Sequence, residues 1–164
     1  MIFLGLGSNI GDRAAHIREA LRQMQAQGIG ILRVSSLYET APWGIDSQAN
    51  FLNAVCEVSW AGDPEALLTC LLDTETHMGR QRLYKWGPRL IDLDILEYQR
   101  LHWHSPALTL PHPYYPERMF VLAPLAELEP DWIPTGQRAS ITELMARLNP
   151  ADILAVHALA TDTP

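Results

Sequence analysis

Asp92 and Asp94 are separated by one residue in the run Leu90-Ile91-Asp92-Leu93-Asp94-Ile95-Leu96. The run is strongly β-prone, and in a strand residues i and i+2 point to the same face. Two adjacent carboxylates repel unless something positive sits between them. Mg2+ takes oxygen ligands and is usually held by one or two carboxylates plus substrate phosphates. Just upstream, Arg80, Arg82, Lys85 and Arg89 fall within ten residues. Guanidinium groups match phosphate oxygens bidentately, so this half of the motif fits a polyphosphate. Gly87 and Pro88 set a turn between the two halves, and Trp86 adds a rigid flat surface. An Asp-x-Asp alone is common and a charge run is usually a solvated face. Their adjacency is what points to a site.

The chain around this segment is acidic, with formal net charge -7 and 12 Lys+Arg in all. A local positive cluster on a negative protein suits a small anionic ligand better than a nucleic-acid track, which needs a broad basic surface. At 164 residues, with 48% apolar and 19% charged residues, the expectation is one soluble domain spanning 1–164 with a tail from about residue 150. Cys56 and Cys70 form no Cys-x-x-Cys, so neither a disulfide framework nor a zinc ribbon is implied. No apolar run reaches the ~18 residues of a membrane span, and no signal-peptide pattern opens the chain. A cytoplasmic monomer acting on small molecules is expected, with no nucleic-acid or membrane partner. His102-Trp103-His104 lacks a third nearby ligand and reads as an exposed loop.

The elements that must position the site follow from periodicity. Ile2 to Gly7 reads as a buried strand, and Ser8 to Asp12 as a turn ending in an N-cap. Ala14, Ile17, Leu21 and Met24 recur at helical spacing, and Gly28 closes that helix. Ile29 to Tyr38 is expected as one strand, followed by a polar loop to Asn50. From Phe51 to Trp60 the pattern alternates, with Leu52, Ala54, Cys56, Val58 and Trp60 on the core face and Phe51, Asn53, Val55 and Glu57 on the other. Asp63-Pro64 starts a second helix that carries Leu67, Leu71, Glu75 and Met78 and stops at Gly79. The Asp-x-Asp strand comes next. Residues 99–118 read as a Pro- and His-rich loop, 118–128 as a helix, and Ser140-x-x-Glu143 as the capping box of a last helix ending before Asn149-Pro150. The order is β-α-β-β-α-β with a C-terminal helical extension. It predicts an α+β, ferredoxin-like core, an antiparallel sheet with helices on one face.

Competing motifs fail. Gly5-x-Gly7-x-x-x-Gly11 is one residue too long for a dinucleotide fingerprint, and a β-β succession follows it. Lys85, the only lysine, precedes Trp86, so there is no P-loop, and no G-x-S-x-G elbow occurs. A metal-dependent nucleotidyltransferase would need a third ligand and a nucleic-acid surface. A non-catalytic nucleotide- or metal-binding domain would be expected to have lost a carboxylate or Asn53.

With these blocks assembled, the chain resembles the 6-hydroxymethyl-7,8-dihydropterin pyrophosphokinase family from about Ile2 to about Pro130. The landmarks are Gly7-Ser8-Asn9, Ser36 through Pro42, Phe51-Leu52-Asn53, Trp86-Gly87-Pro88-Arg89 through Asp94, and Leu110-Pro111-His112-Pro113. The resemblance implies transfer of pyrophosphate from ATP to the pterin hydroxymethyl oxygen, with release of AMP. It implies that Asp92 and Asp94 hold two Mg2+ ions and that Arg82 and Arg89 bind phosphates as catalytic groups. Glu75, Arg80, Trp86, Ile95, Thr109, His112 and Arg118 are implied around the nucleotide. Thr40, Pro42, Trp43, Phe51, Asn53 and Phe120 are implied around the pterin, with the two Phe rings sandwiching it and Asn53 reading its polar edge. Loops 40–50 and 79–89 are expected to close over ATP. The chain departs from the family at Lys85, where Arg is frequent, at Phe51 for Tyr, at Leu90 for Thr, and at Pro113.

Overall fold

In the computed structural model, residues 1–42, 48–79 and 90–160 are described. One antiparallel sheet organises them. β1 (Ile2–Ser8) lies between the edge strand β5 (Asp92–Tyr98) and the central strand β4 (Phe51–Ser59). β4 pairs on its far side with both β2 (Gly30–Val34) and β3 (Leu37–Thr40). β8 (Ile153–His157) adds to the outer edge of β3. The path is β5-β1-β4-β3-β8, with β2 alongside β4.

Helices α1 (Arg13–Ala26) and α2 (Pro64–His77) begin where their capping residues stand. Asp12 Oδ1 accepts the Ala15 N–H at 3.1 Å, and Asp63 Oδ1 accepts the Ala66 N–H at 2.8 Å with Pro64 at the first position. Capping of this kind contributes about 1 kcal/mol. Both helices end before a glycine with positive φ, Gly28 at +90° and Gly79 at +86°, a conformation that a Cβ would strain. Their buried residues, among them Ile17, Met24, Leu67 and Leu71, pack on Leu4, Leu6, Ala54, Cys56, Leu93 and Ile95.

The opposite face is also covered. α3 (Met119–Leu128) and α4 (Ile141–Met145) place Leu122, Leu125, Ile141 and Leu144 against Phe3, Val55 and Leu96. The β-α-β-β-α-β core therefore keeps its two helices on one face, while the C-terminal extension makes a third layer on the other. α4 carries the expected capping box, Ser140 with Glu143.

Three local expectations change. The strand expected over residues 29–38 is two strands, because Ser35 interrupts the ladder. Its N–H donates to Val55 O at 2.9 Å, and its hydroxyl accepts the Val55 N–H at 3.0 Å. The loop 99–118 contains a short hairpin, β6 (Trp103–His104) and β7 (Thr109–Leu110), then a 3-10 turn at Tyr115–Glu117. The tail from about residue 150 carries a strand. Ile153 to His157 satisfies the otherwise unpaired edge of β3, leaving Leu154 and Val156 exposed. No described helix is long and apolar enough to cross a membrane.

Candidate active site

Strands β4, β1 and β5 run side by side, and their register brings the site together. Asn53 pairs with Gly7, and Gly7 with Asp92; in the next row Val55 pairs with Gly5, and Gly5 with Asp94. Partners across antiparallel strands share a face. Asn53, Asp92 and Asp94 thus rise from one face, the last two half-buried, while Leu93 and Ile95 point into the helix-side core. Between them β1 contributes only glycines, so the middle of this face is bare. A Cβ at Gly7 would lie 3.2 Å from Asn53 Oδ1, and one at Gly5 would lie 3.5 Å from Leu96.

A cavity of about 260 Å³ fills the resulting hollow. Gly5 and Gly7 form its floor and Asp92 and Asp94 one side. Thr40, Pro42, Phe51 and Asn53 form the opposite side, and His112, Arg118 and Phe120 close it from the third layer. All nine expected site residues in those walls meet here. The Asn53 amide is fixed from behind, since Nδ2 donates to Thr40 Oγ1 at 2.9 Å. Both residues are buried, so the bond is shielded from water.

Arg118 is stacked between two rings. Its guanidinium carbon lies 5.5 Å from the Tyr114 ring centroid and 5.6 Å from that of Phe120. Cation–π contacts of this kind hold a cation without neutralising it. His112 is tied to β5 by its N–H donating to Leu96 O at 2.9 Å, and its Nδ1 faces the Tyr114 N–H at 3.2 Å. Burial first, then the nearby Arg118 charge, push its pKa down to about 4. The imidazole is therefore neutral at pH 7. With Nδ1 accepting, Nε2–H is left as a donor.

A second cavity, of about 250 Å³, adjoins the first. Leu68, Leu93, Ile95, Leu108 and Thr109 line it, and Asp94 and His112 line both. Ile95 and Thr109 thus belong to a neighbouring pocket and not to the main one. Ile95 is at the same time a core residue, buried to 3% exposure. Glu75 lines neither cavity. It is buried behind β5, where its Oε1 accepts the Leu93 N–H at 2.8 Å and so holds the carboxylate strand at its midpoint between Asp92 and Asp94. Trp43, Arg80, Arg82, Lys85, Trp86 and Arg89 lie outside the described residues.

Several contributors were not legible as site residues. Gly5 and Gly7 belong to a dinucleotide pattern that fails, and Gly7 also stands in a family landmark, but the sequence assigns neither to the site. Glycine inside a strand can mark a face that a ligand approaches closely. Asn9, buried, donates from Nδ2 to Gln48 Oε1 at 3.0 Å and to Ala49 O at 3.3 Å. Arg13 donates to Glu39 at 2.9 Å and to Asn50 O at 2.8 Å. Together they pin the chain entering β4 to the start of α1. No local signal marks such long-range bonds.

The match to known proteins covers this constellation. The family model for 7,8-dihydro-6-hydroxymethylpterin-pyrophosphokinase (HPPK) matches residues 3–130, most of the chain. The chain belongs to the HPPK family. A curated relative from Methylorubrum extorquens, named 2-amino-4-hydroxy-6-hydroxymethyldihydropteridine pyrophosphokinase, is 42% identical over 92% of this chain and 95% of its own. A Bacillus subtilis protein of the same name is 44% identical over 77% of this chain and 76% of its own. Among solved structures, Plasmodium falciparum HPPK-DHPS superposes with a TM-score of 0.72 at 17% identity, over 89% of this chain and 45% of the other. That likeness concerns the fold, and the chain spans under half of those longer structures. The HPPK match ends at residue 130, so α4 and β8 lie beyond it.

Proposed function

We propose that the glycine-floored cavity of this HPPK is where a pterin meets ATP. The protein transfers pyrophosphate from ATP to 6-hydroxymethyl-7,8-dihydropterin, in folate biosynthesis. The hydroxymethyl oxygen forms a bond to the β-phosphorus, the bond from that phosphorus to the α,β-bridging oxygen breaks, AMP leaves, and the hydroxyl proton is released.

Phe51 and Phe120 both line the cavity and would take the flat ring between them, and Asn53, locked by Thr40, would read its polar edge. Pro42 and Trp43 complete that wall in the proposal. The adenosine end belongs in the second cavity, against Ile95 and Thr109. Asp94 and His112 line both cavities, which suits a phosphate chain that runs from one to the other.

Magnesium fits the carboxylate pair. Asp92 and Asp94 share a face with glycines across from them. Mg2+ is usually held by one or two carboxylates together with substrate phosphate oxygens and water. Two ions held by Asp92 and Asp94 would neutralise phosphate charge and orient the reacting oxygens. His112 donates from a neutral ring, and Arg118 brings a positive charge. Arg80, Arg82, Trp86 and Arg89 belong to the same proposal as phosphate and nucleotide groups. Phosphoryl-type transfer needs mainly positioning and charge stabilisation, and these residues supply both. A monomer working on small molecules in the cytoplasm completes the reading.

The observation that carries the site assignment is the single cavity shared by Asp92, Asp94, Phe51, Asn53 and Phe120. Incubation with ATP, Mg2+ and the reduced pterin should yield AMP and the pterin diphosphate. Formation of ADP, or of no phosphorylated pterin, would overturn the reading.

A further inference from the structure

β5 carries one more carboxylate, and it faces the third layer. β1 and β5 slip by one residue between Phe3 and Leu4: Leu4 pairs with Ile95, and Phe3 with Glu97. Leu96 is thus the extra residue of a β-bulge. At a bulge two successive side chains face the same way. Leu96 belongs to the third-layer core, and Glu97 lies opposite Phe3, which belongs there too. Without the slip, Glu97 would point toward α1 and α2.

Glu97 is fully buried, at 0% exposure. Its Oε1 accepts from Tyr115 OH at 2.6 Å and from Thr135 N–H at 2.9 Å. Tyr115, at 1% exposure, lies just before α3, and Thr135 lies after it. One oxygen therefore holds both ends of the segment that contains Arg118, Phe120 and Val121, all in the cavity wall. The same strand, three residues earlier, carries Asp94. Oε2 has no hydrogen-bond partner among the described residues. A buried carboxylate is a costly tie, and what such a group offers over an apolar contact is a defined geometry.

We propose that Glu97 and Tyr115 are positioning residues that set the distance between the Asp92–Asp94 face and the Arg118–Phe120 wall. The inference rests on the site reading above. Neither residue lines the cavity. Tyr115 has its pKa raised by burial and by Glu97, so it stays protonated and donates. Loss of that bond frees the entry to α3, and the wall shifts relative to the carboxylates.

The test compares Tyr115→Phe, Glu97→Gln, Glu97→Leu and Phe120→Ala in steady-state kinetics with ATP, Mg2+ and the reduced pterin, alongside thermal melts. Tyr115→Phe keeps the ring and the packing. Its kcat/KM should fall roughly tenfold or more, chiefly through KM, because small misplacements are costly in a positioned site. Glu97→Leu should behave likewise or worse. Glu97→Gln, which keeps an accepting oxygen, should restore most of the lost efficiency. If Tyr115→Phe and Glu97→Leu stay folded with unchanged kinetics, or lose activity only as folded protein is lost, the positioning role is wrong. If Phe120→Ala leaves the pterin KM unchanged, the site reading itself fails, whatever Tyr115→Phe does.

Discussion

Asn53 and Asp92 stand in the same row of the sheet with only Gly7 between them. Two strand spacings, about 10 Å, thus separate the amide proposed to read the pterin from the first carboxylate of the proposed metal pair. Nothing projects from the strand between them. Substitution Gly7→Ala places a methyl 3.2 Å from Asn53 Oδ1. At that distance the Asn53 amide must give way, so pterin binding should weaken by about 1 kcal/mol or more, roughly fivefold in Kd, in protein that a thermal melt shows to be folded. Calorimetric titration with a pterin analogue checks this; unchanged affinity would place the ring elsewhere.

Asp92→Ala and Asp94→Ala should each reduce AMP formation by at least about 100-fold, since in the proposed site each is a direct metal ligand. The fold should survive, because Ile91, Leu93 and Ile95 anchor the strand in the helix-side core and Glu75 holds its backbone. Substantial turnover by folded Asp94→Ala would remove it from the metal site.

Replacing Asn53 with Leu deletes the proposed polar readout and leaves the Thr40 hydroxyl without the Asn53 donor. Unpaired buried polar groups cost about 1–3 kcal/mol each, on both the protein and the pterin edge. Pterin affinity should fall by roughly tenfold or more while ATP affinity changes little. Titrating each ligand separately distinguishes this from general unfolding, which would weaken both.

His112 should remain neutral until about pH 4, against 6.5 for the free side chain. Between these values the unfolded chain takes up a proton that the folded chain does not. Stability therefore declines as pH falls through this window. The lowered carboxyl pKa values of Glu39, beside Arg13, and of Glu143, in its capping box, act in the same direction at lower pH. The ring-proton NMR titration of His112 reports the midpoint directly, and His112→Gln should flatten the fall in stability between pH 6.5 and 4. A midpoint near 6.5 would mean that the ring is solvated.

Local patterns in the chain specify a good deal. Asp12, Asp63-Pro64, Gly28, Gly79 and the Ser140–Glu143 box set helix ends because capping and φ preferences act within a few residues. Alternation places Asp92 and Asp94 on one face because a strand has period two. The order of the blocks then implies the family and its sheet. What the chain leaves open is whatever depends on partners distant in sequence. Register alone decides that Gly5 and Gly7 face the carboxylates and that Asn53 lies in their row. The break at Ser35 depends on Val55, twenty residues away. Ile153 to His157 forms a strand only because β3 offers an open edge. Glu97 faces α3 only because β1 and β5 slip by one residue at Phe3, a shift of pairing that reverses the direction of every side chain after it.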